Sequence, residues 1–265
     1  PDWKGTVYTA TSAHYIVKTP VSQDVADWVD RHAELIYRTY TLIFPKIDKV
    51  KRKFEILCYA SAEEYHRNGG PAQAGGHYDP VVRKLHIFKY EKDEDTTLVL
   101  YHEGFHQFIH DYLEDPPQWW NEGTADFFGP TRYEPVLGPS GKPIEETMRL
   151  RPNPWRLGTI KAAIQKGRIR PWKQLMLMSQ RELYEPDWAG IHYAESWSII
   201  YFLIRGGAAP DQTTGPYFPL LDAYFKALRK GGGQEAAYEK AFGKVDVPAL
   251  EKAWKEYTLK LGPEG

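Results

Sequence analysis

The chain has 265 residues, 34 basic and 35 acidic, for a formal net charge of −1, and 42% of it is hydrophobic. That balance gives no global field to draw in nucleic acid or an anionic membrane, and no run reaches the roughly eighteen apolar residues that would cross one. A single cysteine, Cys58, rules out an internal disulfide and any thiolate metal cluster. Set within FEILCYA, it reads as a small apolar filler of the core. The sequence begins at Pro1 without an initiator Met and reads as a trimmed or mature chain, whose missing leader says nothing about export.

Residues 6–20 read as two short strands, TVYTA and HYIVKTP, both β-branched and aromatic. A helix is expected from Asp24 to about Ile43, where Val25, Trp28, Val29, His32, Leu35, Ile36 and Tyr40 recur at helical spacing before Pro45. The basic run Lys49 to Lys53 reads as a solvated loop, followed by a strand over 54–60. Residues 68–80, rich in Gly and Pro, read as a loop, and KLHIFKY (84–90) as a fourth strand. Beyond Thr96 the pattern turns helical. One helix spans about 96–112, with Asp93, Glu94 and Asp95 suiting its dipole, and a second runs from Pro116-Pro117 to about Gly129. Residues 130–153 look like a surface loop. Further helices fit 155–166, 171–183, 191–206, 216–229, 234–242 and 248–260. The expected architecture is α+β: a front lobe, residues 1–113, with a small mixed sheet, and an all-helical rear lobe, 114–265, with a metal-binding helix at their junction. Nine Trp, eighteen Tyr and eleven Phe would fill such a core or rim a groove.

The chemistry sits in LVLYHEGFHQFIH, which contains HExxH. Four residues turn a helix through about 400°, so His102 and His106 share one face and can reach one Zn²⁺, with Glu103 beside them to take a proton from bound water. Apolar residues surround the motif nearly all round, so two imidazoles and a carboxylate there would be buried at a cost unless a cation pairs with them. Hydrogen-bonded core histidines are the bland alternative. Sixteen residues past His106, in PPQWWNEGTADFF, Glu122 offers a third ligand and Asp126, one turn on, a carboxylate to orient the imidazole of His102. His110 continues the i, i+4 series but has rotated a further ~40°, and no Gly breaks the helix before it. It reads as a partner of a ligand or a cleft residue, with ligation the alternative.

HExxH followed by a helix with WxNExxxD resembles the gluzincin zinc metallopeptidases, the thermolysin-like or peptidase MA clan, through Asn121, Glu122 and Asp126. Over roughly 50–260 the chain looks like the bacterial peptidase-MA-like proteins that include the DUF1570 group. The features carrying that likeness are WNEGTADFF, HYAESWSIIYFL and AFGKVDVPALEKAWKEY. The resemblance implies a zincin-like fold and one catalytic Zn²⁺ on His102, His106 and Glu122, with Glu103 as base and Asn121 and Asp126 beside the ligands. It also implies a Tyr or His donor to the oxyanion; in IHYAESW the pattern favours Tyr193 over His192, and packing is the other use of that ring. It implies a polypeptide or peptide substrate lying along a sheet-edge strand, for which KLHIFKY, with Leu85, His86, Ile87 and Phe88, is the candidate. His77 and Tyr78 would rim the cleft or be plain loop residues. Trp119 and Trp120 read as anchors of the second helix, with a subsite wall as the other use. An exported, periplasmic or extracellular location follows from the resemblance alone. The gap from the second His to the Glu is shorter than in thermolysin. A zinc hydrolase of another amide or ester, and a binding module that keeps its metal for stability, are the competing functions.

Overall fold

The structure, a computed structural model, describes residues 1–44, 52–140 and 143–264. Pro45 and the Lys49–Lys51 part of the basic run lie outside them. Two compact units divide the chain, Pro1–Glu114 and Asp115–Gly265. The class is α+β: a five-stranded mixed sheet in the first unit and a predominantly helical second unit.

In the first unit β1 (Tyr8–Thr11) pairs antiparallel with β2 (Tyr15–Thr19). The chain then crosses through α1 (Gln23–Ile43), whose first turn is capped by Ser22 Oγ accepting from the Val25 amide at 3.2 Å. It returns as β3 (Phe54–Tyr59), parallel to β2 with Ile56 beside Val17. A short helix, α2 (Ala62–Arg67), capped by Ser61, had no expected counterpart. Strands β4 (Gly76–Asp79) and β5 (Lys84–Phe88) follow, then α3 (Asp93–His110) with three acidic residues in its first turn. The sheet order is β1-β2-β3-β5-β4. Val17, Ile56, Cys58, Leu85 and Ile87 are fully buried. Leu57, Tyr59, Tyr65 and Phe88 form a cluster with Trp3, Ala62 and Tyr90, so the central strands have both faces covered. Cys58 is the filler expected, and burial pushes its thiol up to about 12.

The order corrects the expected substrate strand. Leu85, His86, Ile87 and Phe88 lie on β5, which is paired on both sides: Leu85 faces Ile56 of β3 and Tyr78 of β4. Its backbone groups are spent within the sheet, and an added strand has nothing there to pair with. The terminal strand on that side of the sheet is β4, within the segment expected to be a loop. A turn at Asp79-Pro80, where Asp79 Oδ1 accepts from the amides of Val81 (2.8 Å) and Val82 (3.2 Å), folds it back onto β5.

The second unit opens with α4 (Gln118–Phe128), then a β6–β7 hairpin (Arg132–Leu137, Pro143–Arg149) where a surface loop was expected. Helices α5 (Pro154–Gln165), α6 (Trp172–Met176), α7 (Gln180–Leu183) and α8 (Ala189–Arg205) follow. The expected helix over 171–183 is therefore two, divided before Ser179, whose side chain and Glu182 form a capping box that starts α7. Helices α9 (Phe218–Arg229), α10 (Gly233–Phe242) and α11 (Val247–Lys260) complete the unit. The apolar α8 is its spine, with Trp197, Ile199, Ile200, Leu203 and Ile204 fully buried. Trp119 and Trp120 are core anchors: Trp119 Nε1 donates to Tyr224 at 3.0 Å and Trp120 stacks on Phe225 at 5.3 Å.

Glu195, on α8, is fully buried. One oxygen accepts from the Arg170 amide at 2.6 Å, and Oε2 has no hydrogen-bond partner. Burial raises its pKa from 4.5 to about 8. The folded chain thus holds a proton that the unfolded chain releases near pH 4.5. The associated stability is complete below that pH, declines as pH rises and is lost through about 8. Glu195→Gln should flatten this dependence. We expect thermal melts at pH 8.5 to place the variant at least about 2–4 °C above wild type, the shift one kcal/mol produces in a chain of this size, with little difference at pH 5. Parallel pH profiles would refute the assignment.

Candidate metal centre

Helix α3 is not buried all round as its composition suggests. Leu100, Tyr101, Gly104, Phe105, Phe108 and Ile109 are buried, whereas Leu98, Val99, His102, Glu103, His106 and His110 form a half-buried stripe. The helix is held in this rotation by polar ties as well as by packing. Tyr40 Oη on α1 donates to the Tyr101 carbonyl at 2.6 Å, and the Tyr101 hydroxyl meets His32 Nδ1 at 2.7 Å. Gln107 Nε2 donates to the Glu55 carbonyl at 3.0 Å, tying α3 to β3. Phe105 and Phe108 pack against Tyr40.

On the stripe, His102 Nε2 and His106 Nε2 stand 3.3 Å apart, their rings nearly perpendicular. Two nitrogens each ~2.0–2.1 Å from one tetrahedral ion are separated by about 3.3–3.4 Å, so this spacing fits a shared zinc-sized cation. His102, His106 and Glu122 are three residues that could hold a metal ion. His110 is not in that group; its Nδ1 meets the Tyr78 hydroxyl at 2.8 Å.

Glu103 has a partner the sequence did not suggest. Its Oε2 accepts from the backbone N–H of Tyr78, on β4, at 3.2 Å. His77 points the other way into an aromatic set: its Nδ1 meets Tyr65 Oη at 2.7 Å and its ring stacks on His86 at 4.6 Å. Tyr59 Oη completes the set at 3.1 Å from His86 Nδ1. Burial, then the neighbouring His77, pushes His86 down to about 4, so that ring is neutral.

In the second unit Glu122 lies on α4 with Gln118 one turn before and Asp126 one turn after. Tyr184 Oη is 3.2 Å from Glu122 Oε1 and 2.9 Å from Gln118 Oε1. Asp126, almost fully buried, accepts from Arg156 Nε at 2.6 Å and from Asn153 Nδ2 at 3.4 Å. Asn153 also caps α5 through the Trp155 and Arg156 amides. Tyr193 stacks on Tyr184 at 5.9 Å with the Arg156 guanidinium 4.8 Å over its ring, and burial followed by the charge of Glu122 drives its pKa far upward. It keeps its proton, as a hydrogen-bond donor must. His192 is buried, with Nδ1 at 3.0 Å from the Leu183 carbonyl. Arg156 and Tyr184 were missed by sequence reasoning. The first lies in a Pro-rich stretch 30 residues from its partner and the second is one of eighteen tyrosines.

A family model described as "Protein of unknown function (DUF1570)" matches residues 96–209, a little under half of the chain, so that segment is similar to this family. The match runs from α3 through α8 and takes in His102, Glu103, His106, Glu122, Tyr184 and Tyr193. No curated protein matches the chain.

Glu122 is placed by its neighbour Gly123, which packs against the backbone of α8. A Cβ there would sit 2.7 Å from the carbonyl carbon and oxygen of Ser196 and 3.1 Å from Ile200. Backbone cannot move aside as a flexible side chain can. Gly123→Ala should therefore destabilise the protein by about 1–3 kcal/mol or more, read by chemical denaturation. A wild-type midpoint would show that α4 and α8 are not in this close contact.

Proposed function

We propose that the chain is a zinc-dependent hydrolase of the gluzincin type, acting on peptide bonds, with His102, His106 and Glu122 as ligands and Glu103 as general base. The observation that carries this reading is the 3.3 Å approach of the two Nε2 atoms on one helical stripe. A donor set of two imidazoles and one carboxylate suits zinc in a site that keeps a fourth position open. A zinc ion bound there would supply a Lewis acid that polarises a carbonyl and makes water acidic enough to attack near neutral pH.

The remaining work belongs to side chains. Glu103, anchored through Oε2 to the Tyr78 amide, has a second oxygen to accept the proton of the attacking water and return it to the leaving nitrogen. Tyr193, protonated at any working pH, serves as donor to the negative oxygen that develops on the substrate. An extended peptide is best received on β4, the terminal strand next to α3, rather than on β5. Among the described residues no helix is long and apolar enough to cross a membrane. An exported location remains a proposal from resemblance to gluzincin-like bacterial proteins.

Elemental analysis of purified protein should give about one zinc per chain, and Glu122→Ala should lose it. Glu103→Gln should keep the metal and lose at least about 100-fold in cleavage of denatured protein or a peptide library, the usual worth of a general base. Protein that binds no metal after zinc loading would end the reading. Metal retained with no peptide cleaved by wild type would redirect it to another amide or ester.

A further inference from the structure

Tyr184 is held from both sides before it reaches Glu122. Its own amide bonds to the Gln180 carbonyl at 3.1 Å as α7 ends, and the carbonyl of the preceding Leu183 is held by His192 Nδ1 at 3.0 Å. The ring lies on Tyr193, 5.9 Å between centroids and 21° between planes. A phenol fixed in this way presents its hydroxyl at a set place with little rotamer freedom left to lose. That place lies between two groups one helical turn apart on α4, Gln118 Oε1 at 2.9 Å and Glu122 Oε1 at 3.2 Å.

One hydroxyl proton faces two acceptors, and the charged carboxylate makes the stronger bond. In the arrangement seen, the hydroxyl faces both Gln118 Oε1 and Glu122 Oε1; a half-turn of the Gln118 amide about its last bond would present its NH₂ to the phenol oxygen and leave the Tyr184 O–H to Glu122 Oε1. We propose that Tyr184 is a positioning residue for Glu122, committing one carboxylate oxygen to the phenol so that the other binds the metal in a single orientation. The inference rests on the metal-binding reading above. Without the phenol the carboxylate can swing away or bring both oxygens to the ion.

Tyr184→Phe deletes the hydroxyl and keeps the ring stack. Full-length apo protein would be titrated with Co²⁺, followed by its visible absorption, and with Zn²⁺ in competition with a chelator. We expect the variant to bind both ions about 10–100-fold more weakly, with an altered cobalt spectrum and an apo melting temperature close to wild type. Because the phenol acts through the carboxylate, Glu122→Gln/Tyr184→Phe should lose no more affinity than Glu122→Gln alone. That comparison decides the matter even if the phenylalanine lowers apo stability. Wild-type affinity and spectrum in Tyr184→Phe, while Glu122→Ala loses the ion, would overturn the role of Tyr184 and leave the metal site standing. Additive losses in the double variant would overturn it too. Absence of uptake by wild type would overturn both.

Discussion

Two imidazole nitrogens forced within 3.3 Å of each other are the constraint around which this protein is organised. Helical geometry alone brings His102 and His106 to one face, but it does not choose which way that face points. The rotation of α3 is chosen by what it buries. Leu100, Phe105, Phe108 and Ile109 go into the core, and the only stripe left half-exposed is the one carrying both histidines, Glu103 and His110. A turn of one residue, about 100°, would drive both imidazoles into the core and expose phenylalanines. It would also break the Tyr40 bond to Tyr101 and the Gln107 bond to β3. The sheet and α1 thus serve the site as a mould for one helix.

The second unit solves a different problem, that of holding a carboxylate. A glutamate side chain has three rotatable bonds, and a metal ligand must not use them freely. Helix α4 is fixed at its start by two buried tryptophans and at Gly123 by backbone contact with α8. Asp126 is tied to Arg156 and to Asn153, which itself starts α5. At the end of the Glu122 side chain, Tyr184 Oη donates to Oε1 at 3.2 Å. The pair of buried Asp126 with half-buried Arg156 gives geometric definition to this part of α4.

The motif helix was legible because its chemistry is local: four residues of spacing and one geometric rule place both imidazoles. Glu122 was legible for a related reason, standing at a readable distance on an evident second helix. The α+β class likewise followed from the change in periodicity near Thr96. Groups that arrive from far along the chain were not legible. Arg156 and Tyr184 carry no local mark, because a cation near a Pro-rich turn and one tyrosine among eighteen look alike in every role. Segment 130–153 hid a hairpin in its proline and glycine content, and the helix expected over 171–183 concealed a capping box at Ser179 that restarts it.

The misplaced edge strand has the most instructive cause. KLHIFKY takes the outer position from the resemblance alone, in which the strand before the metal helix is the sheet edge, yet its apolar composition reports burial, and the most buried strand is an inner one. β4, reading as a loop because of its glycines, is outermost. Those glycines are the reason it can be there. A Cβ on Gly76 would lie 2.6 Å from Val99 on α3 and 2.9 Å from the His86 carbonyl, so only a residue without a side chain lets the strand come this close to the helix. That approach brings the Tyr78 amide within 3.2 Å of Glu103. The feature that disguised the strand is therefore the one that lets its backbone hold the proposed general base, and a backbone donor is one that no ordinary side-chain substitution removes.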